Sequence, residues 1–466
     1  MQRVIIFIFL FFLVSNSFAQ VDKFKNESSE YDSDFELPET ESKSKKKDTN
    51  ISEASDSKGL INEKNPSKLS ILGNIEGGFN LIGLNKSSLF YKTRFYNNTG
   101  VSSPLDLYRL RLEANADYKY DKIGFHIKTR TTYVSQNDSN IMLNEAYNYI
   151  LFTPNIVLSS GKKIFKWGVG YIYNPVGFLN PLKDIDYPER DNEGKLSISL
   201  DLIKTFSSQT LRNISFTAVV IPLNESINNQ MGQAKNINVA GKFSVLILDS
   251  DIDLMGFYGK SVPGKVGMAF SRSFLNNFVL NLEFAYTFRE NLREMNSNSI
   301  PNNYNKNVYS FLAGIRYQKS TQFLLILEYF HNGSGNKRDI YKNYLNFLNS
   351  NYNNYLNTGD PTFIQPYNTT MNTYNQGRTF FLRDYVYLKM SSQDFLDVVY
   401  LNPYISGLFN VNDYGVYVMP GIMYAPYTNI EFNLLTQFLF GKDDSEYGSK
   451  PNKWMLEFTI KVYFKS

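Results

Sequence analysis

The segment from Tyr108 to Tyr120 alternates apolar and polar residues with a period of two. Its apolar positions carry tyrosine at both ends and leucine or alanine in the middle, whereas charged and amide residues occupy the positions between them. A period of two is typical of a β-strand with one apolar and one polar face. Rings at both ends of the apolar face indicate a membrane-crossing strand, because aromatic residues collect at the two water–lipid interfaces.

The same arrangement returns along the chain, at 278–288, 309–317, 414–424 and 454–464. These runs are about ten to fourteen residues long, whereas a tilted membrane-crossing strand needs roughly 9–11 residues and soluble strands average about 5–6. The sequence therefore predicts an all-β fold, a transmembrane antiparallel up-and-down β-barrel.

Composition narrows the classes of partner and chemistry. The chain carries 48 basic and 44 acidic residues, which gives no indication of a nucleic-acid partner. It has no cysteine and only 2 histidines, so neither a disulfide nor a thiolate metal site is available and a zinc site built from protein ligands is not expected. We predict no cofactor and no metal site.

The N-terminal region predicts export. Arg3 precedes the apolar run from Val4 to Val14, and Ser17-Phe18-Ala19 is a small-residue cleavage site, so residues 1–19 are predicted to be a signal peptide rather than an uncleaved anchor helix. Residues 20–68 are polar and predict a disordered periplasmic arm. Residues 69–466 are predicted to form the barrel, embedded in the lipid of a bacterial outer membrane.

Connection lengths predict the strand count and the orientation. Short turns alternate with longer or more polar connections, among them 167–194, 290–306 and 333–379. With one strand near 69–79 and the segment 86–97 assigned to a loop or a hairpin extension, the count is 18 strands, with 16 or 20 as alternatives. Short turns of outer-membrane barrels face the periplasm, and barrels of about 16–18 strands enclose water.

One segment stands out by its glycines, lysines and prolines. Its recognisable elements are Gly161-Lys162-Lys163, Trp167-Gly168-Val169-Gly170, Asn174-Pro175, Asn180-Pro181, Lys183-Asp184 and Pro188-Glu189. This stretch, 161–194, resembles a family of bacterial outer-membrane porin-like β-barrels, in which a Gly-Lys or Gly-Arg strand ends in Trp-Gly-x-Gly before an Asn-Pro loop. The resemblance implies an outer-membrane channel and gives no substrate.

The same segment is a candidate constriction loop. Its candidate residues are Lys162, Lys163, Lys166, Trp167, Asn174, Pro175 and Lys183. Two interpretations remain open. The loop folds inward and its lysines bias passage towards anions, or it is a surface turn in which Trp167 anchors the chain at the lipid interface.

Alternation also predicts which charged side chains face the lumen. The basic set is Arg109, Arg111, His126, Lys128, Arg130, Arg289, Arg316, Arg383 and Lys389. Acidic residues such as Glu283, Glu328 and Glu457 share the same face. The basic residues of 107–134 form either a ladder that guides anions or a wall in which opposite charges satisfy each other.

These observations predict a passive channel for small hydrophilic solutes with a weak preference for anions. The alternative is a surface-exposed adhesin or structural barrel whose long loops bind external partners, for which the Asn- and Tyr-rich loop 333–379 is the natural surface. No catalytic residue is predicted, because neither His126 nor His331 has an evident nucleophilic partner. The sequence leaves homo-oligomerisation open.

Overall fold

The computed structural model describes residues 68–97, 100–135, 140–180, 182–275, 277–298, 300–319, 322–364 and 380–466. The predicted signal peptide at 1–19 lies outside the described residues. So do the predicted arm at 20–68, apart from its last residue, and Pro181 of the candidate loop.

Eighteen strands of the described chain form one antiparallel sheet. Their bounds are β1 Lys68–Leu84, β2 Leu105–Tyr120, β3 Ile123–Val134, β4 Asn140–Thr153, β5 Ile156–Lys163, β6 Lys195–Thr205, β7 Leu211–Pro222, β8 Ile237–Ile247, β9 Ser250–Gly259, β10 Val262–Phe274, β11 Phe278–Met295, β12 Pro301–Gln318, β13 Phe323–His331, β14 Asp384–Ser392, β15 Leu401–Asn410, β16 Val416–Tyr427, β17 Ile430–Phe440 and β18 Asn452–Lys465. Each strand pairs with its neighbours in the chain, and β1 also pairs with β18, which closes the sheet. The predicted 18-strand up-and-down barrel is confirmed.

The two faces of the wall follow the period-of-two pattern. On β2, Tyr108, Leu110 and Leu112 are 44%, 39% and 44% exposed, whereas Arg111 between them is only 7% exposed. Apolar side chains therefore cover the outside of the barrel, and charged side chains point into it. An apolar outer surface of this kind is stable where it contacts lipid.

The longest connections, 85–104, 164–194, 223–236 and 332–383, lie at one end of the barrel, where β9 and β10 are nevertheless joined by only two residues. The connections at the other end have two to eight residues. We refer to the first as the long-loop end and to the second as the short-turn end. The segment 86–97 adds no strand, as predicted, and contains a short helix, α1, at Leu89–Arg94. The predicted connection 290–306 is wrong in extent, because β11 continues to Met295 and β12 begins at Pro301.

The predicted loop 333–379 contains a helix, α2, at Arg338–Thr358. Its residues Tyr341 and Tyr344 are buried, and the Tyr344 ring lies 6.3 Å from that of Phe90 in α1. Tyr341 also shares a hydrogen bond of 2.8 Å with Ser449, in the β17–β18 connection. Segments from different sides of the barrel thus meet at the long-loop end. Within the described residues no helix has the length and apolar character needed to cross a membrane.

Candidate functional site

The connection between β5 and β6, residues 164–194, lies inside the barrel. We call it the inward loop, and its described residues exclude Pro181. Arg190 of this loop lies 3.6 Å from Glu76 on β1, and Val169 donates its backbone N–H to Glu283 on β11. Because β1 and β11 stand on opposite sides of an 18-strand ring, the loop crosses the lumen.

Glu283 of β11 anchors the first part of the loop. Its carboxylate accepts the backbone N–H groups of Val169 at 2.5 Å, Gly170 at 2.7 Å and Val176 at 3.3 Å. The Glu283 side chain is 3% exposed. A buried loop must find acceptors for its backbone donors, and a wall carboxylate supplies them here.

Glu328 of β13 holds the next residues of the loop in the same manner. Its two oxygens accept the N–H groups of Tyr171 at 2.5 Å and Ile172 at 3.0 Å. Two wall carboxylates therefore bind successive backbone donors, and this fixes the path of the loop across the barrel.

The glycines of the Trp-Gly-x-Gly motif are required by this close approach. Gly168 has a φ of +98°, and a Cβ atom there would stand 2.9 Å from a Glu283 oxygen. A Cβ atom at Gly170 would overlap the carbonyl oxygen of Tyr173. Only glycine tolerates both this backbone conformation and this proximity.

The Asn-Pro element forms the turn that follows. The carbonyl of Asn174 accepts the N–H of Gly177 at 3.0 Å, with Pro175 in between, and Asn180 donates to the Trp167 carbonyl at 3.0 Å. Proline suits the second position of such a turn because its φ is already set.

Trp167 packs in the interior of the barrel. It is 3% exposed and belongs to an apolar cluster with Val176 and Leu179 of the loop and with inward-facing residues of β7–β11. The wall residues of this cluster are Val219, Ile221, Ala240, Met255, Phe257, Ala269 and Ala285. The interpretation of Trp167 as an anchor at the lipid interface is therefore wrong.

The opposite part of the wall is charged. Arg109 on β2 lies 3.0 Å from Glu76 on β1 and 2.9 Å from Glu457 on β18, and Arg111 lies 2.7 Å from Glu76. Arg130 lies 2.5 Å from Glu113. The predicted basic ladder is thus interleaved with carboxylates, as in the alternative that opposite charges satisfy each other.

Charged residues of the inward loop complete this network. Lys128 on β3 lies 2.7 Å from Asp191, and Tyr187 donates its hydroxyl to Glu457. The Arg190 guanidinium stacks over the Tyr187 ring at 4.0 Å. These contacts tie the second part of the loop to the charged wall.

The four lysines of the candidate constriction loop all have partners. Lys162 pairs with Glu193, Lys163 lies 3.8 Å from Asp201, and Lys166 lies 3.8 Å from Asp191. Lys183 donates to the backbone carbonyls of Gly170 and Tyr171, each at 2.9 Å. The first three positive charges are therefore compensated locally.

Two further lumen-facing residues also contact carboxylates. His126 lies 2.6 Å from Asp117 and 3.3 Å from Glu145. Lys389 on β14 lies 2.8 Å from Glu189 of the inward loop.

The other three predicted pore-lining residues differ from these. Arg316 forms no ion pair with any described carboxylate, and its Nε is buried without a hydrogen bond. Arg383 stands just before β14 and donates to the Gly335 carbonyl at 3.0 Å. Arg289 is exposed and has a φ of +50° in a bulge of β11. The bulge interrupts the alternation on which the assignment of Arg289 to the lumen rests.

Sequence reasoning missed Glu76, Tyr187, Arg190 and Asp191 as parts of this site. Glu76 lies on β1, which pairs with β18 where the barrel closes. The local sequence pattern does not show which strand is this partner. The signal for the others was the dense charge of the segment from Lys183 to Glu193. Its role depends on the path of the loop, which is a long-range property.

A second polar centre lies at the long-loop end. The Glu446 carboxylate accepts hydrogen bonds from the Tyr385 hydroxyl at 2.6 Å and the Asn410 amide at 2.7 Å, and the Phe381 N–H at 3.1 Å. Burial raises the pKa of Glu446 above its usual range, and burial likewise raises the pKa of Asp413, which accepts the Glu446 N–H. This centre joins three connections of the long-loop end.

His331 has a carboxylate partner on the neighbouring strand. Its Nδ1 lies 2.7 Å from Asp384, and its ring stacks against Tyr309 and Phe311. The same Asp384 oxygen accepts the Tyr329 hydroxyl at 2.8 Å.

Comparison with known proteins bears on the fold. No family model matches the sequence, and no match to a curated protein was found. Among solved structures, Pseudomonas aeruginosa OccK5 (OpdH) aligns with a TM-score of 0.50 and 9% identity, covering 85% of this chain and 98% of that chain. The chain has a porin-type β-barrel fold.

Two other structures align less well. Pseudomonas aeruginosa OccK11 (OpdR) gives a TM-score of 0.49 at 7% identity, covering 85% of this chain and 96% of that one. A mutant of the Rh. blastica porin gives 0.41 at 12% identity, with 85% and 100% covered. At these identities the likeness extends to the fold alone.

Proposed function

We propose that this protein is an outer-membrane channel through which small hydrophilic solutes diffuse passively. The inward loop is its constriction. The observation that carries the proposal is a lumen lined by charged side chains and crossed by a loop that is bound to the wall on both sides. Such a loop narrows an aqueous passage without needing energy or a cofactor.

The orientation follows from the connections. In this proposal the short-turn end faces the periplasm and the long-loop end faces outwards, as in other outer-membrane barrels. The apolar outer surface, with side chains such as Leu112 and Phe284 more than two-fifths exposed, would contact lipid.

We further propose that the preference for anions is weak. Most basic residues of the lumen lie within ion-pair distance of a carboxylate, as Arg109 and Lys128 do. Among the described residues of the lumen, Arg316 and Lys183 have no carboxylate within ion-pair distance, whereas the wall carboxylates Glu283 and Glu328 are bound by backbone N–H groups of the loop.

Planar-bilayer recordings with the purified full-length protein test the proposal. We expect discrete channel openings in symmetric potassium chloride, and in a salt gradient a small reversal potential of the sign set by chloride. A protein that folds into the bilayer but never opens a conducting pore would contradict the channel. A large reversal potential of the cation-selective sign would contradict the anion preference.

The second candidate function is a surface-exposed adhesin or structural barrel. It is favoured by one observation, the ordered surface that α2, α1 and the β17–β18 connection form at the long-loop end. An absence of channel openings, together with binding of external ligands that is lost when α2 is deleted, would support this alternative.

A further inference from the structure

A cavity of about 160 Å³ lies between the inward loop and the wall formed by β11–β13. Gly170, Tyr171 and Lys183 line it from the loop, and Asn281, Gly314 and Arg316 line it from the wall. Gly314 keeps this part of the wall open, since a Cβ atom there would stand 3.1 Å from the Glu328 side chain.

Two cationic side chains line the cavity. Arg316 faces the lumen from β12 without an ion-pair partner among the described residues, and its Nε is buried without an acceptor. Lys183 donates to the Gly170 and Tyr171 carbonyls, which occupy two of the three N–H groups of its ammonium.

The acceptors that line the cavity are already occupied. Both oxygens of Glu328 accept loop N–H groups, as described above. The side-chain oxygen of Asn281 accepts from Ser271 at 2.8 Å, and its amide donates to the Val169 carbonyl at 3.2 Å. Two cationic groups therefore stand beside a polar space, and the Glu328 carboxylate that also lines it is turned to the backbone N–H groups of the loop.

We propose that this cavity is a binding subsite for a small oxyanion, held between the Arg316 guanidinium and the Lys183 ammonium. A carboxylate fits this site because guanidinium binds both oxygens of a planar anion in a fork, while lysine adds a point charge. The inference rests on the proposed function, since the anion enters through the lumen. A site of this kind would hold small organic acids briefly at the constriction.

Equilibrium binding to the detergent-solubilised full-length protein tests the subsite. The probe is isotope-labelled acetate, followed by NMR line broadening, with acetamide as a neutral molecule of the same shape. For two charged contacts we expect saturable binding with a dissociation constant on the order of millimolar. Acetamide should cause no saturable broadening, and equal broadening by acetamide would overturn the proposal.

Variants locate the binding. Arg316→Gln and Lys183→Met should each weaken acetate binding about tenfold, the loss of one charged contact. Arg316→Lys keeps the charge but removes the fork, and should fall between the wild type and Arg316→Gln. The matched control is Lys319→Gln, which removes a positive charge from the exposed turn after β12 and should leave binding unchanged.

Folding of each variant is checked by the heat-dependent gel mobility of a closed barrel. Unchanged acetate binding in a folded Arg316→Gln protein would overturn the proposal.

Inorganic phosphate, titrated separately, distinguishes the two kinds of oxyanion. Tighter binding of phosphate than of acetate would assign the site to phosphate, and the absence of binding by either anion would overturn the proposal.

The experiments distinguish failure of the subsite proposal from failure of the channel proposal. If bilayers show conducting pores while no oxyanion binds, the channel proposal stands and the subsite is wrong. If acetate binds through Arg316 but no pore opens, the subsite stands and the channel proposal fails.

Discussion

The two halves of the inner wall hold the same loop by different physics. On β7–β11 the wall presents apolar side chains that pack around Trp167, Val176 and Leu179. On β18 and β1–β3 it presents charges that pair with Arg190 and Asp191. Apolar packing is non-directional and depends on excluding water, whereas each ion pair depends on the geometry of its two charged groups. The comparison predicts that the apolar half contributes most of the free energy that holds the loop and, in the proposed channel, that the charged half lines the passage.

The largest effect should come from the apolar half. Trp167→Ala removes the largest loop side chain from the cluster and should lower the free energy that holds the loop in place by about 3–5 kcal/mol. We expect faster amide hydrogen exchange across 164–194 and a larger, noisier single-channel conductance.

Trp167→Phe is the control for this experiment, because it keeps an aromatic ring in the cluster and should have a smaller effect. Protected loop amides in a folded Trp167→Ala protein would show that the apolar half is not what fixes the loop.

Removing a backbone acceptor should have an intermediate effect. Glu283→Ala leaves the N–H groups of Val169, Gly170 and Val176 without their acceptor, at a cost of about 1–3 kcal/mol in the free energy of loop docking. We expect these three amides to lose exchange protection first. Glu283→Gln keeps one acceptor oxygen and should lose less; equal losses in the two variants would show that the hydrogen bonds are not responsible.

The charged half should respond in selectivity rather than in stability. Lys128→Gln breaks the ion pair with Asp191, in which the Lys128 side chain is 22% exposed and the Asp191 side chain 24%. The substitution should change the stability of the docked loop by about 0–1 kcal/mol. We expect the reversal potential in a salt gradient to move towards cations.

Asp191→Asn breaks the same pair from the other side and should move the reversal potential towards anions. Shifts of the same sign in both variants would contradict the assignment of this half to the passage.

We expect the smallest effect at the long-loop end, where the Glu446 carboxylate is buried beside aromatic rings and the pH should change the stability of the packed loops. The raised pKa of Glu446 means that the packed loops bind a proton more tightly than the unfolded segment does. The stability of this packing should therefore increase as the pH falls towards the usual glutamate range near 4.3, and decrease as the pH rises above that range.

Hydrogen exchange of α2, corrected for the intrinsic pH dependence of amide exchange, measures this stability. Glu446→Gln removes the titrating group and should abolish the Glu446 contribution to the trend. An unaltered trend in that variant would assign it to other groups, such as Asp413.

The sequence predicted the strands of the barrel wall, but much less of the inward loop and of the ion pairs inside the barrel. Strand number and facing follow from alternation, a local property, so residues such as Tyr108 and Arg111 were assigned to the correct faces. The counter-charges of Arg109 are on β1 and β18, and this pairing depends on closure of the ring. The inward course of the loop depends on Glu283, which is more than a hundred residues away in the chain.

The helix α2 was missed for another reason. Its many asparagines have weak helix propensity, so composition suggested a loop. The signal that could have revealed it is the spacing of Tyr341, Tyr344, Leu345 and Leu348, which places four side chains on one helical face.

The junction between β1 and β18 joins strands from opposite ends of the described chain, whereas the other strand pairs are chain neighbours. Two of its facing pairs set a ring over a glycine, Phe464 over Gly73 and Trp454 over Gly83, and a Cβ atom at either glycine would overlap the ring. Ring-over-glycine pairs specify the register of a β-sheet through shape. Closure of the barrel therefore depends on shape as well as on hydrogen bonds, because a shift of one residue between β1 and β18 would lose both ring-over-glycine contacts.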